Sequence, residues 1–436
     1  MPVLVYTPKF SSRIKYAFNL LFKEVLAVDE IAFTTNIEDL ETFEGCCIAY
    51  ARNPVGDALH FVPSGLLLER DISEQEITVS KHKEVPVFFS VSNGVLPFDV
   101  FAAAFYLASR YEEYLPYIGD VHNRFPATES IAYKENFLHL PVINIWAGWI
   151  KEIIHKKYPQ QTFNPPAYDF LTTVDVDNLY AYCGKGAFRS GAAALRDLLT
   201  FRFGEFIDRI KSITGFMKDP FDTFDEQMAL RDAAGVQSIY FMLFAEFARY
   251  DRNVSMHSPR MQERVRHMLD VTPIGIHPSY RSNESEKIVA YETQNLEEAL
   301  RKPITQSRQH FLKMRMPETF RNLADLGITD EYSMGYASTP GFRAGLATPF
   351  PFYDLEMEES IPLRMHPFMV MDVTFIDYLK TTPDEALDQM KKLVDTTRAV
   401  NGTFISVFHN RIFSEKEPQW HGWKKVYAEL LAYAKP

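Results

Sequence analysis

The sequence predicts an α/β protein, a barrel of seven parallel strands, closed or nearly closed, behind a smaller α/β unit. Two observations predict it. From residue 166 to 436, about 270 residues, short β-like runs alternate with helical patterns. That alternation builds parallel sheets, and for seven strands a closed or nearly closed barrel is the economical arrangement. Upstream, a polar, proline-rich stretch (YPQQTFNPP, Tyr158–Pro166) separates a shorter α/β pattern from the rest. The expected units are therefore residues 1–165 and 166–436.

In the first unit Pro2–Tyr6 is a short apolar run, Ile14–Val28 has helical spacing, and Ile31–Thr35 and Cys46–Tyr50 read as strands. Phe98–Tyr114 repeats apolar residues at i, i+3, i+4 and i+7 and ends in charge. It predicts an amphipathic helix opened by Asp99 or by the turn at Pro97. Pro116–Asn136 is polar and irregular, and Val142–Ile154 reads as an apolar helix. The β-like runs of the second unit are Phe170–Asp177, Val236–Phe244, Ile274–Tyr280, Thr305–Phe311, Tyr332–Ser338, Leu363–Val370 and Thr403–His409. Helical patterns lie between most of them, at Phe224–Ala234, Pro259–Leu269, Ser285–Leu300, Pro317–Leu326 and Pro383–Val400, with Gly422–Ala434 last. No fixed-period repeat is present, which argues against a solenoid.

Composition narrows the function. With 46 Lys+Arg against 57 Asp+Glu the net charge is −11, which argues against a general nucleic-acid binder. No apolar run is long enough to span a bilayer. The N-terminal Met1-Pro2-Val3-Leu4-Val5 lacks the basic and long apolar regions of a secretory signal, so the expected location is cytoplasmic. Three cysteines, Cys46 and Cys47 adjacent, cannot make a disulfide framework or a four-sulfur zinc site.

In such a barrel, chemistry belongs at the C-terminal ends of the strands. The first strand ends Thr173-Val174-Asp175-Val176-Asp177. Period-two alternation puts both carboxylates on one face, where they repel unless a cation or proton compensates. Taken alone, the pair also fits a polar strand terminus with Asp177 capping a turn. The third strand ends at His277 and the fourth at His310. Neighbouring strands lie roughly 5 Å apart, so both imidazoles could reach one ion with an aspartate. Three N/O ligands and a vacant position describe a catalytic zinc-type site. The seventh strand ends at His409, a candidate general acid or a loop histidine bonded locally. Arg343 lies in a glycine-rich turn (Pro340–Gly345), where it could hold a carboxylate bidentately.

These residues resemble the motifs of the polysaccharide deacetylases of carbohydrate esterase family four. Thr173-Val174-Asp175-Val176-Asp177 is similar to that family's paired-aspartate motif, His277-Pro278-Ser279 to its histidine motif, Phe342-Arg343 to its arginine loop, and Val407-Phe408-His409 to its final strand. The resemblance covers about residues 166–436. The signatures HPSYRS, SRQHFL, PGFRAG and VFHN, with Arg110-Tyr111-Glu112-Glu113-Tyr114 upstream, resemble a divergent bacterial branch whose N-terminal extension has no known function. The resemblance implies an irregular seven-stranded β/α barrel. It makes Asp175 the catalytic base and Asp177 and His277 ligands of a divalent metal, zinc being expected. Two departures stand out. Val176 separates the aspartates, and the position four after His277, where the family has its second histidine, is Arg281. Arginine has no free lone pair, so His310 is expected to supply the missing ligand.

The expected activity is removal of N-acetyl groups from an amino-sugar glycan or precursor. Asp175 is kept ionised by Arg343 and His409 protonates the departing amine. The alternatives are a degenerate barrel that binds carbohydrate, and a metal-dependent C–N hydrolase acting on a non-sugar amide. The insertion Asn178–Asp219 holds seven Lys/Arg against four Asp/Glu, with a helical stretch Ala192–Ile213. It reads either as a peripheral helix or, over 184–213, as a membrane-facing surface. Glu112 and Glu113 read as a solvated face or as partners of Arg110 and Arg124, and Cys46 and Cys47 as buried thiols.

Overall fold

The computed structural model describes all 436 residues. Near the N-terminus, β1 (Val3–Tyr6), β2 (Ile31–Thr34), β3 (Cys46–Tyr50) and β4 (Leu59–Phe61) form a parallel sheet in the order β2-β1-β3-β4. A short hairpin, β5 (Ser80–His82) with β6 (Val85–Val87), follows. Helix Ser12–Asn19 is opened by Ser11, whose hydroxyl accepts the Ile14 N–H. Helix Val100–Ala108 is opened by Asp99, which accepts the Ala102 N–H.

The Phe98–Tyr114 pattern is corrected in one respect. All nine residues of helix Val100–Ala108 are buried, and the charged end, Glu112–Glu113, is buried too. The helix lies under cover on every side, so it has no solvated stripe. Phe101 stacks on Phe18 with centroids 3.6 Å apart. Full burial of each ring contributes about 2 kcal/mol of transfer free energy.

The large sheet contains β7 (Asp169–Val176), β8 (Gln237–Met242), β9 (Ile274–Ile276), β10 (Gln306–Ser307), β11 (Asp330–Glu331), β12 (Phe350–Asp354), β13 (Glu359–Met365), β14 (Val370–Met371) and β15 (Thr403–His409). Its order is β12-β13-β11-β10-β9-β8-β7-β15-β14, and every pairing is parallel except β12 with β13. Segment Glu359–Met371 serves both ends of the parallel set. Its first half pairs with β11 and its second half with β15. Between them the Phe368 N–H donates to the Met334 carbonyl at 3.2 Å and the Met369 N–H to the Ile405 carbonyl at 3.0 Å.

The fifth strand is shorter and earlier than Tyr332–Ser338, because only Asp330 and Glu331 keep ladder partners on both sides. The β12–β13 hairpin was not expected. The helices after β7 match closely, at Phe224–Ala234, Pro259–Leu269, Glu286–Leu300, Glu318–Asp325, Pro383–Ala399 and Trp423–Ala434. The stretch Ala192–Ile213 is two helices, Ala187–Leu199 and Phe203–Ile213, split where Phe201 takes a positive φ.

One hydrophobic core runs from Val3 in the first sheet to Val407 in β15, crossing residue 165 without a break. On the outer side of β15, Phe404 and Phe408 pack with Trp423 and Tyr427 of the last helix, which leaves Ile405, Val407 and His409 on the opposite face. At Gly275 in β9 a Cβ would lie 2.6 Å from the Phe241 ring and 2.9 Å from the Gln306 carbonyl, so only glycine lets β8, β9 and β10 approach here. No helix is long and apolar enough to cross a membrane.

Candidate metal centre and active site

Parallel register gathers the strand ends. His409 lies opposite Asp175, Asp175 opposite Phe241, Met242 opposite Ile276, and Ile276 opposite Ser307. Asp177, His277 and His310 each follow such an end by one to three residues. They open onto a cavity of about 450 Å³ lined also by Asp175 and His409.

Asp177, His277 and His310 are buried, and their ligand atoms lie within 4.8 Å of one another. The Asp177 Oδ1 is 3.5 Å from His277 Nε2 and 3.6 Å from His310 Nε2. Neither approach is a hydrogen bond, because each imidazole uses its N–H elsewhere. His277 Nδ1 lies 2.6 Å from the Arg308 carbonyl, which can only accept. His310 Nδ1 lies 2.8 Å from Asp251 Oδ1. Both Nε2 lone pairs therefore face Asp177 Oδ1, a buried oxygen without any hydrogen-bond donor.

Three inward acceptors with nothing to accept from call for a cation. A tetrahedral shell with bonds of about 2.0 Å separates its ligands by roughly 3.3 Å, close to the spacing found. The residues fit a divalent metal. Asp251 and the Arg308 carbonyl set the ring orientations, as partners of metal-bound histidines do. Burial opposes the Asp177 charge, yet His409 and Arg411 hold its carboxyl well below the usual range. Arg411 Nη1 donates to Asp177 Oδ2 at 2.5 Å.

Asp175 stands beside this group, its Oδ2 4.0 Å from His277 Nε2. Its cationic partner is Arg308, fully buried, whose Nη1 donates to Asp175 Oδ1 at 2.9 Å and to the Thr173 hydroxyl at 2.6 Å. Thr173 and Asp175 thus share a face, as strand alternation requires. The expected Asp175–Arg343 pairing is overturned. Arg343 Nη2 and Nε bind Glu113 at 2.6 and 2.9 Å, its Nη1 donates to the Gly335 carbonyl, and it does not line the cavity. Glu113 is also held by Arg110 Nε at 2.7 Å. Burial raises the Glu113 carboxyl, but Arg343 and Arg110 outweigh it and leave it lowered. Of the two readings of Glu112 and Glu113, ion pairing with Arg110 is the one found, while Arg124 pairs with Asp120.

His409 reaches the cavity with Nε2 3.8 Å from Asp177 Oδ2. Its Nδ1 is 2.7 Å from Asp372 Oδ1, and Asp372 Oδ2 accepts its backbone N–H. Burial works against the imidazolium, but Asp372 and Asp177 prevail and raise its pKa to about 9. Cys46 and Cys47 are buried thiols, and burial pushes Cys46 up to about 12.

Arg308, Asp251, Asp372 and Arg411 were missed. Arg308 carried a signal, two residues before His310 in the same run. So did Asp372, an aspartate directly after a strand end as Asp177 is after β7.

A model of a family of unknown function, DUF7033, matches residues 3–159. No curated protein matches the chain. Among solved structures, a provisionally named polysaccharide deacetylase from Mycobacterium smegmatis is similar at 15% identity and a TM-score of 0.38, covering 61% of this chain and 85% of the other. Another so named, from Pseudomonas aeruginosa PAO1, is similar at 12% identity and a TM-score of 0.37, covering 62% and 88%.

Proposed function

We propose that this chain is a metal-dependent hydrolase that removes N-acetyl groups from an amino-sugar-containing glycan or glycan precursor. The observation that carries it is the lone Asp177 Oδ1 facing two imidazole lone pairs, with a second carboxylate and a carboxylate-bound histidine on the same cavity. Asp177, His277 and His310 would hold a divalent ion, zinc by ligand type, which when bound supplies Lewis acidity toward an amide carbonyl and toward water. We further read the chain as two units, 1–165 and 166–436, the second an irregular barrel of seven strands. The double pairing of Glu359–Met371 with β11 and β15 supports closure.

Asp175 is the general base. Arg308, itself bonded to the Thr173 hydroxyl, pins its Oδ1, so its Oδ2 is left to take a proton from the attacking water. His409 is the general acid. Asp372 holds its Nδ1–H, which aims Nε2 into the cavity to protonate the amine as the C–N bond breaks. Water adds to the carbonyl carbon, and acetate and the free amine leave. Tyr250, Phe311 and Tyr378 line the same cavity and offer apolar faces suited to a sugar ring.

The test is metal content of the purified protein together with acetate release from N-acetylated amino sugars and from small non-sugar amides. Stoichiometric metal and release from the sugars alone is the expected result. Release from the amides alone would replace the substrate class, and absence of metal would defeat the proposal.

A further inference from the structure

The insertion between β7 and β8 departs from ordinary surface helices. Helix Ala187–Leu199 buries only Asp197, and helix Phe203–Ile213 buries only Arg209 and Ser212. An ion pair joins the two helices. Arg209 Nη2 grips Asp197 Oδ2 at 2.7 Å, and the Tyr182 ring lies 4.7 Å from the guanidinium. The apolar side chains point the other way. Phe188 is 89% exposed, Leu199 71%, Phe201 79% and Phe216 88%. A surface helix normally turns its apolar stripe inward and its charges outward. Here the two faces are exchanged.

Charge is sorted as well. Every carboxylate of the insertion is engaged. Asp197 sits in the buried pair, Asp219 accepts the N–H groups of Ala181, Tyr182 and Cys183, and Lys416 binds Glu205 and Asp208. Lys211 stands exposed among the apolar residues and so does Arg202, which reaches Glu205 only at 3.7 Å across a half-exposed pair that Lys416 already neutralises, on a chain of net charge −11.

We propose that this helical hairpin is a docking surface for an anionic phospholipid membrane. It lies in the interface plane, with the phenylalanines at the acyl boundary and Arg202 and Lys211 at the phosphates. A second copy of the chain fits less well, because self-pairing sets these cations against each other. The hairpin is tied to the cavity loop. Arg189 stacks on Phe247 at 3.8 Å and donates to the Asn253 carbonyl, and the segment between them carries Tyr250 and Asp251. A docked membrane therefore lies beside the cavity mouth. None of this depends on the hydrolase reading.

The experiment is flotation of the full-length protein with phosphatidylcholine vesicles, with and without phosphatidylglycerol. Binding is expected only to the anionic vesicles and is weakened by salt. Arg202→Glu with Lys211→Glu lowers the partition coefficient by about 30-fold or more. Serine at Phe188, Leu199, Phe201 and Phe216 abolishes binding. Should that variant fail to fold, the charge-reversal pair decides alone. Failure to float with anionic vesicles at low salt overturns the proposal. So does a dimer in sedimentation velocity that these substitutions dissolve while vesicles stay unbound, since a second copy then covers the surface.

Discussion

Replacing Asp251 tests whether His310 belongs to the metal centre. Asp251 is 1% exposed, and its Oδ1 takes both the His310 Nδ1 at 2.8 Å and the Tyr280 N–H at 2.8 Å. Alanine removes the hydrogen-bond partner that fixes the tautomer of the ring and leaves only Phe311 and His277 packed against it. His310 Nε2 would then spend part of its time turned from Asp177. Loss of such an orienting carboxylate weakens metal binding by about 10- to 100-fold, or about 1.4 to 2.7 kcal/mol. Asparagine keeps an acceptor but loses the charge, so Asp251→Asn falls between wild type and Asp251→Ala. Competitive titration of zinc against a chromophoric chelator reads the dissociation constant, and melting of the metal-free variants separates folding defects from ligand loss. If Asp251→Ala binds zinc as the wild type does while His277→Ala does not, His310 is not a ligand and the three-residue centre fails.

Asp175→Asn should abolish acetate release while metal content, by mass spectrometry, stays stoichiometric; turnover at near wild-type rate would remove Asp175 as the base. Arg343→Met should leave zinc affinity unchanged and cost about 3 kcal/mol in urea unfolding, near the lower end for a broken buried pair because Arg110 still holds Glu113. Burial raises Glu331 to about 7 in the fold, despite its bonds from Ser333. A carboxyl raised on folding contributes stability present below its unfolded pKa of about 4.3 and lost as pH rises through about 7, so Glu331→Gln should flatten the fall in melting temperature between pH 5 and 8.

Local signals read well and tertiary partners did not. Helices Phe224–Ala234 and Pro259–Leu269 were legible to the residue because apolar spacing, a Gly235 stop and a Pro259 start all act within one turn. The inward face of β7 followed from alternation alone. Strand five differs because ladder membership depends on what lies alongside, and Tyr332–Ser338 keeps only isolated backbone bonds, from the Tyr332 N–H to the Ser307 carbonyl and from the Phe368 N–H to the Met334 carbonyl, and bends at Gly335. Arg343 illustrates the limit best. Its glycine-rich turn was visible, but its carboxylate comes from Glu113, 230 residues earlier, and nothing local separates that partner from Asp175. Asp251 and Arg411 likewise gain their roles only when loops from different strands meet.

The Arg343–Glu113–Arg110 cluster also bears on how the chain can be divided. Arg110 Nη1 donates to the Arg343 carbonyl while both guanidiniums share one carboxylate, so the turn after β11 is braced by a lattice whose other half precedes residue 165. Excising the leading segment would strip the counter-ion from beneath that turn and bare the apolar surface around it. The upstream portion is therefore scaffolding for the downstream one, and the two are best expressed, mutated and compared as a single piece.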